Sequence, residues 1–380
     1  MLLVLLAASV SFFITFMMIP VIMRVATQKR LYDLPDARKL HTRPIASLGG
    51  VGIFAGFLLT SLLVIKPGTD HSFQAFYAAS VVMFFLGIKD DILIISPTKK
   101  FIGQLLAAGI LVHLGGIQIT SMHGLLGVYE LPYSFSIALS YFTIIVVTNA
   151  FNLIDGVDGL AGMLGLVVML CFGAYFGYVN MDSYAVLAFA MAGALAAFLI
   201  FNFNPAKIFM GDSGSLLLGL ISSVLAIKFI AVADGAGVSF PIASVVAVGF
   251  SVLMLPLADT LRVFSIRIAQ GRSPFSPDRN HIHHLLLDRG LNHKMVTLTC
   301  VGINLLFIAV AFYFRNLGPT TVMLMMVAMA LSMLGMLVAA RRYSAARRFP
   351  AVFETPLEEG RLQPKTKVVA LTPEVLASEN

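Results

Sequence analysis

Eleven apolar runs, each able to cross or nearly cross a hydrocarbon layer of about 30 Å, leave this chain very few folds to choose from. They fall near residues 2–23, 47–65, 73–88, 102–117, 136–151, 159–178, 184–201, 213–232, 241–261, 295–314 and 320–340. A segment inside lipid must satisfy its own backbone hydrogen bonds, so the choice lies between α-helices and a closed β-barrel. Barrel strands alternate apolar and polar residues, and these runs do not. The sequence therefore predicts an all-α polytopic membrane protein of about eleven transmembrane helices. A chain of 380 residues that is 58% hydrophobic and 12% charged, with a mean hydropathy of +0.91, is too apolar for a water-soluble domain.

Charge sets the expected orientation. The first run has no basic residue before Arg24 and no small-residue cleavage site, so it reads as a retained helix with its N-terminus outside. Alternate connections, at 24–46, 89–101, 149–158, 202–212, 262–294 and from 341 onward, then carry 23 of the 26 Lys and Arg residues. The positive-inside rule makes these connections and the C-terminus cytoplasmic. The net charge of +7 is thus mostly a topology signal and calls for no nucleic-acid partner. Residues 1–340 form the expected transmembrane domain, and 341–380 a cytoplasmic tail. Four arginines open that tail and suit anionic membrane lipids; the rest is polar, carries Pro356, Pro364 and Pro373, and is expected to be partly disordered. Cys171 and Cys300 fall inside apolar runs without metal or redox spacing and read as small hydrophobes. On the outer side only 118–135, with Gly124, Gly127 and Pro132, is long enough for a hairpin or re-entrant piece.

The polar chemistry gathers at the ends of the runs on the expected cytoplasmic side. NAFNLIDGVDGLA at 149–161 places Asn149, Asn152, Asp155 and Asp158 at every third position, one helical face on which their oxygens could converge. Gly156 and Gly159 argue that the helix breaks there. Asp90 and Asp91 follow the third run directly and should point different ways. Like charges about 6 Å apart repel by about 3 kcal/mol at an effective dielectric near 20, so several carboxylates in one pocket require a cation or protonation. In FNFNPAKIFMGDSGS at 201–215, Pro205 sets a turn and Asp212 opens the eighth helix. Asp212 could cap that helix, and the small residues around it would suit a phosphate.

RIAQGRSPFSPDRNHIHH at 267–284 adds Arg267, Arg272, Arg279, His281, His283 and His284. Arginines match phosphate oxygens with planar, bidentate donors. The histidines are read as phosphate or sugar contacts rather than zinc ligands, because neighbouring donors are oxygens and Mg²⁺ prefers oxygens and substrate phosphates. Lys39, His41 and Arg43 form a further basic loop. Asp259 and Arg262, three apart, fit a structural ion pair near a kink at Pro256.

Taken together, NAFNLIDGVDGLA, FNFNPAKIFMGDSGS and SPFSPDRNHIHH resemble the signature loops of the polyprenyl-phosphate N-acetylhexosamine-1-phosphate transferases, over nearly the whole pattern of spans. HIHH after SPFSPDR is more similar to the WecA/TagO branch, which uses UDP-N-acetylglucosamine, than to MraY, whose donor is UDP-MurNAc-pentapeptide. The resemblance implies transfer of N-acetylglucosamine 1-phosphate, or a related N-acetylhexosamine 1-phosphate, from a UDP-sugar to undecaprenyl phosphate. UMP would be released and a cell-envelope glycan begun at a bacterial inner membrane. It implies Mg²⁺, with Mn²⁺ as substitute, between Asn152, Asp212 and the pyrophosphate. It also implies a uridine pocket near Asn204, Phe209, Asp155 and Asp158. Asp90 and Asp91 match the Asp-rich motif DDxxD, whose last acidic position is here Ile94. Asp90, Asp91, Asp155, Asp158, His281 and His284 are the catalytic candidates. Lys39, Arg43, Asn149, Asn204, Phe209, Arg267, Arg272, Arg279 and His283 are the substrate-binding candidates. A homodimer is left open. The rival classes are a secondary transporter, which would place charges near span centres, and a lipid-diphosphate phosphatase, which would need no UDP-sugar.

Overall fold

A computed structural model describes all residues except 30, 32–44, 67, 69–71, 94, 236–237, 273–280 and 349–380, with side chains described up to residue 336. Lys39, His41, Arg43, Ile94, Arg279 and the end of the tail lie outside the described residues. The chain divides into a unit over Met1–Leu337 and a second over Val338–Asn380. All the contacts that follow are internal to the first unit.

The helices are α1 (Leu2–Lys29), α2 (Gly49–Val64), α3 (Ser72–Leu93), α4 (Pro97–Gly109), α5 (Tyr133–Ile154), α6 (Leu160–Tyr178), α7 (Asp182–Asn202), α8 (Gly211–Val232), α9 (Val245–Ser251), α10 (Met254–Ala269), α11 (Ile282–Leu287), α12 (His293–Tyr313) and α13 (Pro319–Arg348). Every apolar run of the sequence falls on one of them. Among the described residues seven helices are long and apolar enough to cross a membrane, and α9 with α10 makes an eighth if that bent pair counts as one span. The protein is an all-α polytopic membrane protein. α2 is apolar but short, and α4 runs into a π-helical turn at Ile110–Leu114. The long outer connection folds as an antiparallel hairpin, β1 (Ser121–Leu125) with β2 (Val128–Glu130).

α8 is the most buried of the spans and the hub of the bundle, packed against α2, α3 and α5. Small residues let these backbones approach, which is how helices associate where lipid gives no hydrophobic incentive. A Cβ on Gly87 of α3 would lie 2.4 Å from the Ser213 backbone, and one on Gly219 of α8 would lie 2.5 Å from Thr148 of α5. The segment before α2 also pairs with the segment before α8, with Phe209 N donating to Ala46 O and Gly49 N to Phe209 O.

The ninth run is not one straight span. It breaks by 81° between α9 and α10. The break falls at Val252 and Leu253, so Pro256 stands inside the first turn of α10, where a missing N–H costs least, and not at the corner itself. Such a break opens backbone groups that water cannot reach. Asn304 of α12, fully buried, closes them: its Nδ2 donates to Val252 O at 3.0 Å and its Oδ1 accepts from Leu255 N at 3.1 Å.

Candidate active site

At one end of the bundle the C-termini of α3, α5 and α7 meet the N-termini of α4, α6, α8 and α12. Asp90, at the end of α3, accepts from Ile95 N at 2.7 Å and from Lys100 Nζ at 3.0 Å. The same ammonium donates to Asn152 Oδ1 at 3.2 Å and to Asp212 Oδ2. Asn152 Nδ2 in turn donates to Asp212 Oδ1 at 2.7 Å and Ser215 Oγ at 3.0 Å. Oxygens from α3, α5 and α8 therefore surround one cation supplied by α4.

Asp91 points the other way, as adjacent carboxylates on a helix must. It accepts from Asp212 N at 2.7 Å and Ser213 N at 3.1 Å, capping α8 from a different helix. Two sequence-based expectations are corrected here. Asp212 does not cap its own helix but turns into the cluster, and these two amides at the α8 N-terminus hold a carboxylate rather than standing open for a phosphate. Gly211, with φ of 71°, makes the close approach, since a Cβ there would meet Ser47 O at 2.1 Å and the Asp91 carboxylate at 2.7 Å. Asp91 is thereby committed to the α8 amides.

The four residues spaced by three in NAFNLIDGVDGLA do not converge. α5 ends at Ile154, so Asp155 and Asp158 lie on the following turn, and Gly159 takes a left-handed conformation, φ of 76°, to start α6. Asn149 makes a reciprocal pair with Gln104 of α4, its Nδ2 donating to Gln104 Oε1 at 2.7 Å. Asn152 joins the Lys100 cluster. Asp158 accepts from Asn204 Nδ2 at 2.9 Å and Ala206 N at 3.1 Å, and it pairs with His293 Nδ1 at 3.3 Å. Burial pushes its carboxyl up, but these partners outweigh burial and hold it below the usual carboxylate range. Asp155 makes no such set of contacts. Burial, aided by the charges of Asp212, Asp91 and Asp158, pushes its carboxyl up to about 8. Phe209 is half-buried, its backbone tied to the strand-like segment before α2.

The histidine-rich segment is more enclosed than a substrate loop should be. His281 and His283 are buried, and only His284 among the three imidazoles is partly exposed. His281 Nδ1 lies 2.9 Å from Asp259 Oδ2, and Ile282 N donates to Asp259 Oδ1 at 2.8 Å. Burial pushes His283 down to about 3, with its neighbour His284 adding to the effect, so its ring is neutral at any physiological pH. It rests on the turn after α5: a Cβ on Gly156 would lie 2.5 Å from His283 Nε2. The Asp259–Arg262 ion pair is present at 3.3 Å. Arg267 departs from its expected place in an open loop, since it is buried within α10 at 1% exposure; Arg272 is exposed.

Sequence reading missed Lys100, Gln104 and His293. Lys100 was counted only as a basic residue favouring one side of the membrane. Its signal was position: it stands on the first turn of α4 after Ser96-Pro97, facing inward.

A model for glycosyl transferase family 4 matches residues 73–230. The undecaprenyl-phosphate alpha-N-acetylglucosaminyl 1-phosphate transferase of Escherichia coli K12 is 29% identical over 331 residues, 85% of this chain and 88% of that protein. The decaprenyl-phosphate N-acetylglucosaminephosphotransferase of Mycobacterium tuberculosis is 33% identical over 315 residues, 76% of this chain and 78% of its own length. The chain belongs to the polyprenyl-phosphate N-acetylhexosamine-1-phosphate transferases. It is a glycosyl-1-phosphate transferase.

For a transferase of this family the question is whether the cluster suits a divalent cation. Among the described residues no group of three or more His, Cys, Asp or Glu is disposed as a metal cage. Mg²⁺ does not require one, since it is commonly held by one or two carboxylates together with substrate phosphates and water. The Lys100 ammonium shows that Asp90, Asn152 and Asp212 already direct oxygens at one positive charge. That donor set fits Mg²⁺ and does not fit zinc, which favours nitrogen and sulfur.

Proposed function

We propose that this transferase moves N-acetylglucosamine 1-phosphate from UDP-N-acetylglucosamine to undecaprenyl phosphate, releasing UMP, in the inner membrane of a bacterium. The reading places the active site on the cytoplasmic face, with about eleven spans, the N-terminus outside and residues 341–380 as a cytoplasmic tail. The observation that carries it is the Lys100 ammonium seated among Asp90, Asn152 and Asp212 at the mouth of the bundle. The names of the relatives supply the polyprenyl-phosphate acceptor and the N-acetylglucosamine group.

In this reading an oxygen of the lipid phosphate attacks the phosphorus that carries the sugar. The bond from that phosphorus to the bridging oxygen breaks, and UMP leaves with that oxygen. Asn152 and Asp212, with Asp90 beside them, would hold Mg²⁺ or Mn²⁺, which when bound would neutralise the pyrophosphate. Lys100 adds a positive charge for the phosphoryl oxygens, a preorganised stabilisation of the kind that dominates phosphoryl transfer. A phosphate monoester has its second pKa near about 6, so the nucleophile is largely ionised at neutral pH and needs no strong base. Asp91 is occupied with the α8 amides, and Asp90 with Ile95 N and Lys100 Nζ, so both carboxylates shape the site rather than stand free. Asp158, Asn204, Asp155 and Phe209 line the uridine side, and Arg272 and His284 offer donors toward the phosphates. Lys39, Arg43 and Arg279, which lie outside the described residues, stay substrate-binding candidates on the sequence resemblance alone.

The test is UMP release by the purified protein with undecaprenyl phosphate, Mg²⁺ and a panel of UDP-sugars, with Asp212→Ala as control. Lipid- and cation-dependent release with UDP-N-acetylglucosamine, abolished in the control and by chelation, is the expected result. Release with UDP-MurNAc-pentapeptide alone would overturn the donor. Inorganic phosphate from a lipid diphosphate, with no UMP from any donor, would overturn the reaction.

A further inference from the structure

Beyond the cation cluster, the most heavily engaged buried carboxylate belongs to Asp259, on α10 past the 81° break. It is 1% exposed and accepts from His281 Nδ1 at 2.9 Å, Ile282 N at 2.8 Å and Arg262 Nη2 at 3.3 Å. Ile282 N is the first amide of α11 and has no partner within that helix, so a residue 23 positions earlier caps it. A charge this deep is costly unless paired, and pairing it with two adjacent positions, the His281 ring and the Ile282 amide, fixes the start of α11 against α10.

From this anchor the rings pass the constraint along. The His281 ring stacks on His283 at 5.6 Å with 4° between planes, and His283 meets His284 at 4.4 Å. His283 rests against Gly156, where no side chain would fit, on the turn that carries Asp155. The series starts at α10, ends at the partly exposed His284, and leaves α11 little freedom to turn.

We propose that Asp259 is a positioning residue: it clamps α11 against the Asp155–Gly156 turn and thereby presents His284 to the phosphates of the donor. This rests on the transferase reading given above. Asp259 touches no reacting atom and acts through the placement of α11.

Two variants and two measurements test it. Asp259→Asn keeps an oxygen for Ile282 N but sets an amide where His281 Nδ1 finds a carboxylate; Asp259→Ala removes both. For Asp259→Ala, kcat for UMP release should fall by about 10- to 100-fold, with KM for UDP-N-acetylglucosamine changed by less than about threefold, and Asp259→Asn should lose less. In a His284→Ala background Asp259→Ala should cost no more than about twofold, because its route of action is already gone. Losses that multiply independently in the double variant would overturn the proposal. Hydrogen exchange over 282–287 should accelerate in Asp259→Ala and stay nearer to the parent in Asp259→Asn; exchange unchanged in Asp259→Ala would also overturn it. If the parent released no UMP with any donor, the transferase reading would fail and the phosphate role of His284 with it, while the exchange experiment would still decide whether Asp259 clamps α11.

Discussion

Replacing Asn304 by leucine removes the one side chain shown closing the corner between α9 and α10, while keeping the same number and branching of side-chain heavy atoms. Val252 O and Leu255 N then lose their partners in a place water does not reach. Hydrogen bonds between helices in membranes average about 0.6 kcal/mol and reach about 1.7, whereas a buried group left unpaired costs about 1–3 kcal/mol. Two such losses give about 2–6 kcal/mol. The added apolar surface does not offset this, because lipid chains solvate leucine as well as the bundle does. With roughly 2 °C per kcal/mol for a large domain, the melting temperature in detergent should fall by about 4–12 °C. Activity should fall as well, since α10 carries Asp259 and leads to the histidine segment. Thermal unfolding of purified parent and variant under one detergent condition checks this. A variant that melts at or above the parent would refute the reasoning, and would mean that the corner satisfies its backbone without Asn304.

Other outcomes follow from the site. Lys100→Met should lower UMP release by about 100-fold or more and also destabilise the cation-free protein, because it deletes a preorganised charge and leaves the Asp90 and Asp212 carboxylates without their counter-charge; steady-state kinetics beside a thermal melt reads both. Asp91→Ala should destabilise by about 1–2 kcal/mol, the usual worth of a helix cap, and Asp91→Asn by less, both read from thermal unfolding. Asp155 has a folded pKa raised to about 8, so in the cation-free protein its contribution is fully present below an unfolded value of about 3.9 and is lost as pH rises through about 8. Cation-free Asp155→Asn should therefore melt above the parent at pH 8, and the difference should close toward pH 4.

Local pattern was enough for much of this protein. Long apolar runs have one economical solution in lipid, so the helices, their order and the all-α class could be read directly, and so could the helix break before Gly159; around Gly124 and Gly127 the sequence allowed a hairpin or a re-entrant piece, and the structure takes the hairpin. The residue types at the run ends also marked where carboxylates and amides gather, and the structure meets them there with the Lys100 ammonium.

Partnership was a different matter, because it depends on which helix ends meet across the bundle, and one helix period carries no record of that. Spacing by three put Asn149, Asn152, Asp155 and Asp158 on one face, yet the helix ends after Ile154 and the four turn to Gln104, to Lys100 and Asp212, to a desolvated turn, and to His293. Asp91 caps a helix more than 100 residues away, and Lys100 enters the cluster only because α4 lies against α3 and α5. The 81° corner shows the same division. Sequence announced a proline nearby, but the position of the break was settled by Asn304, a buried amide about 50 residues on, which satisfies the backbone groups that only the folded arrangement exposes.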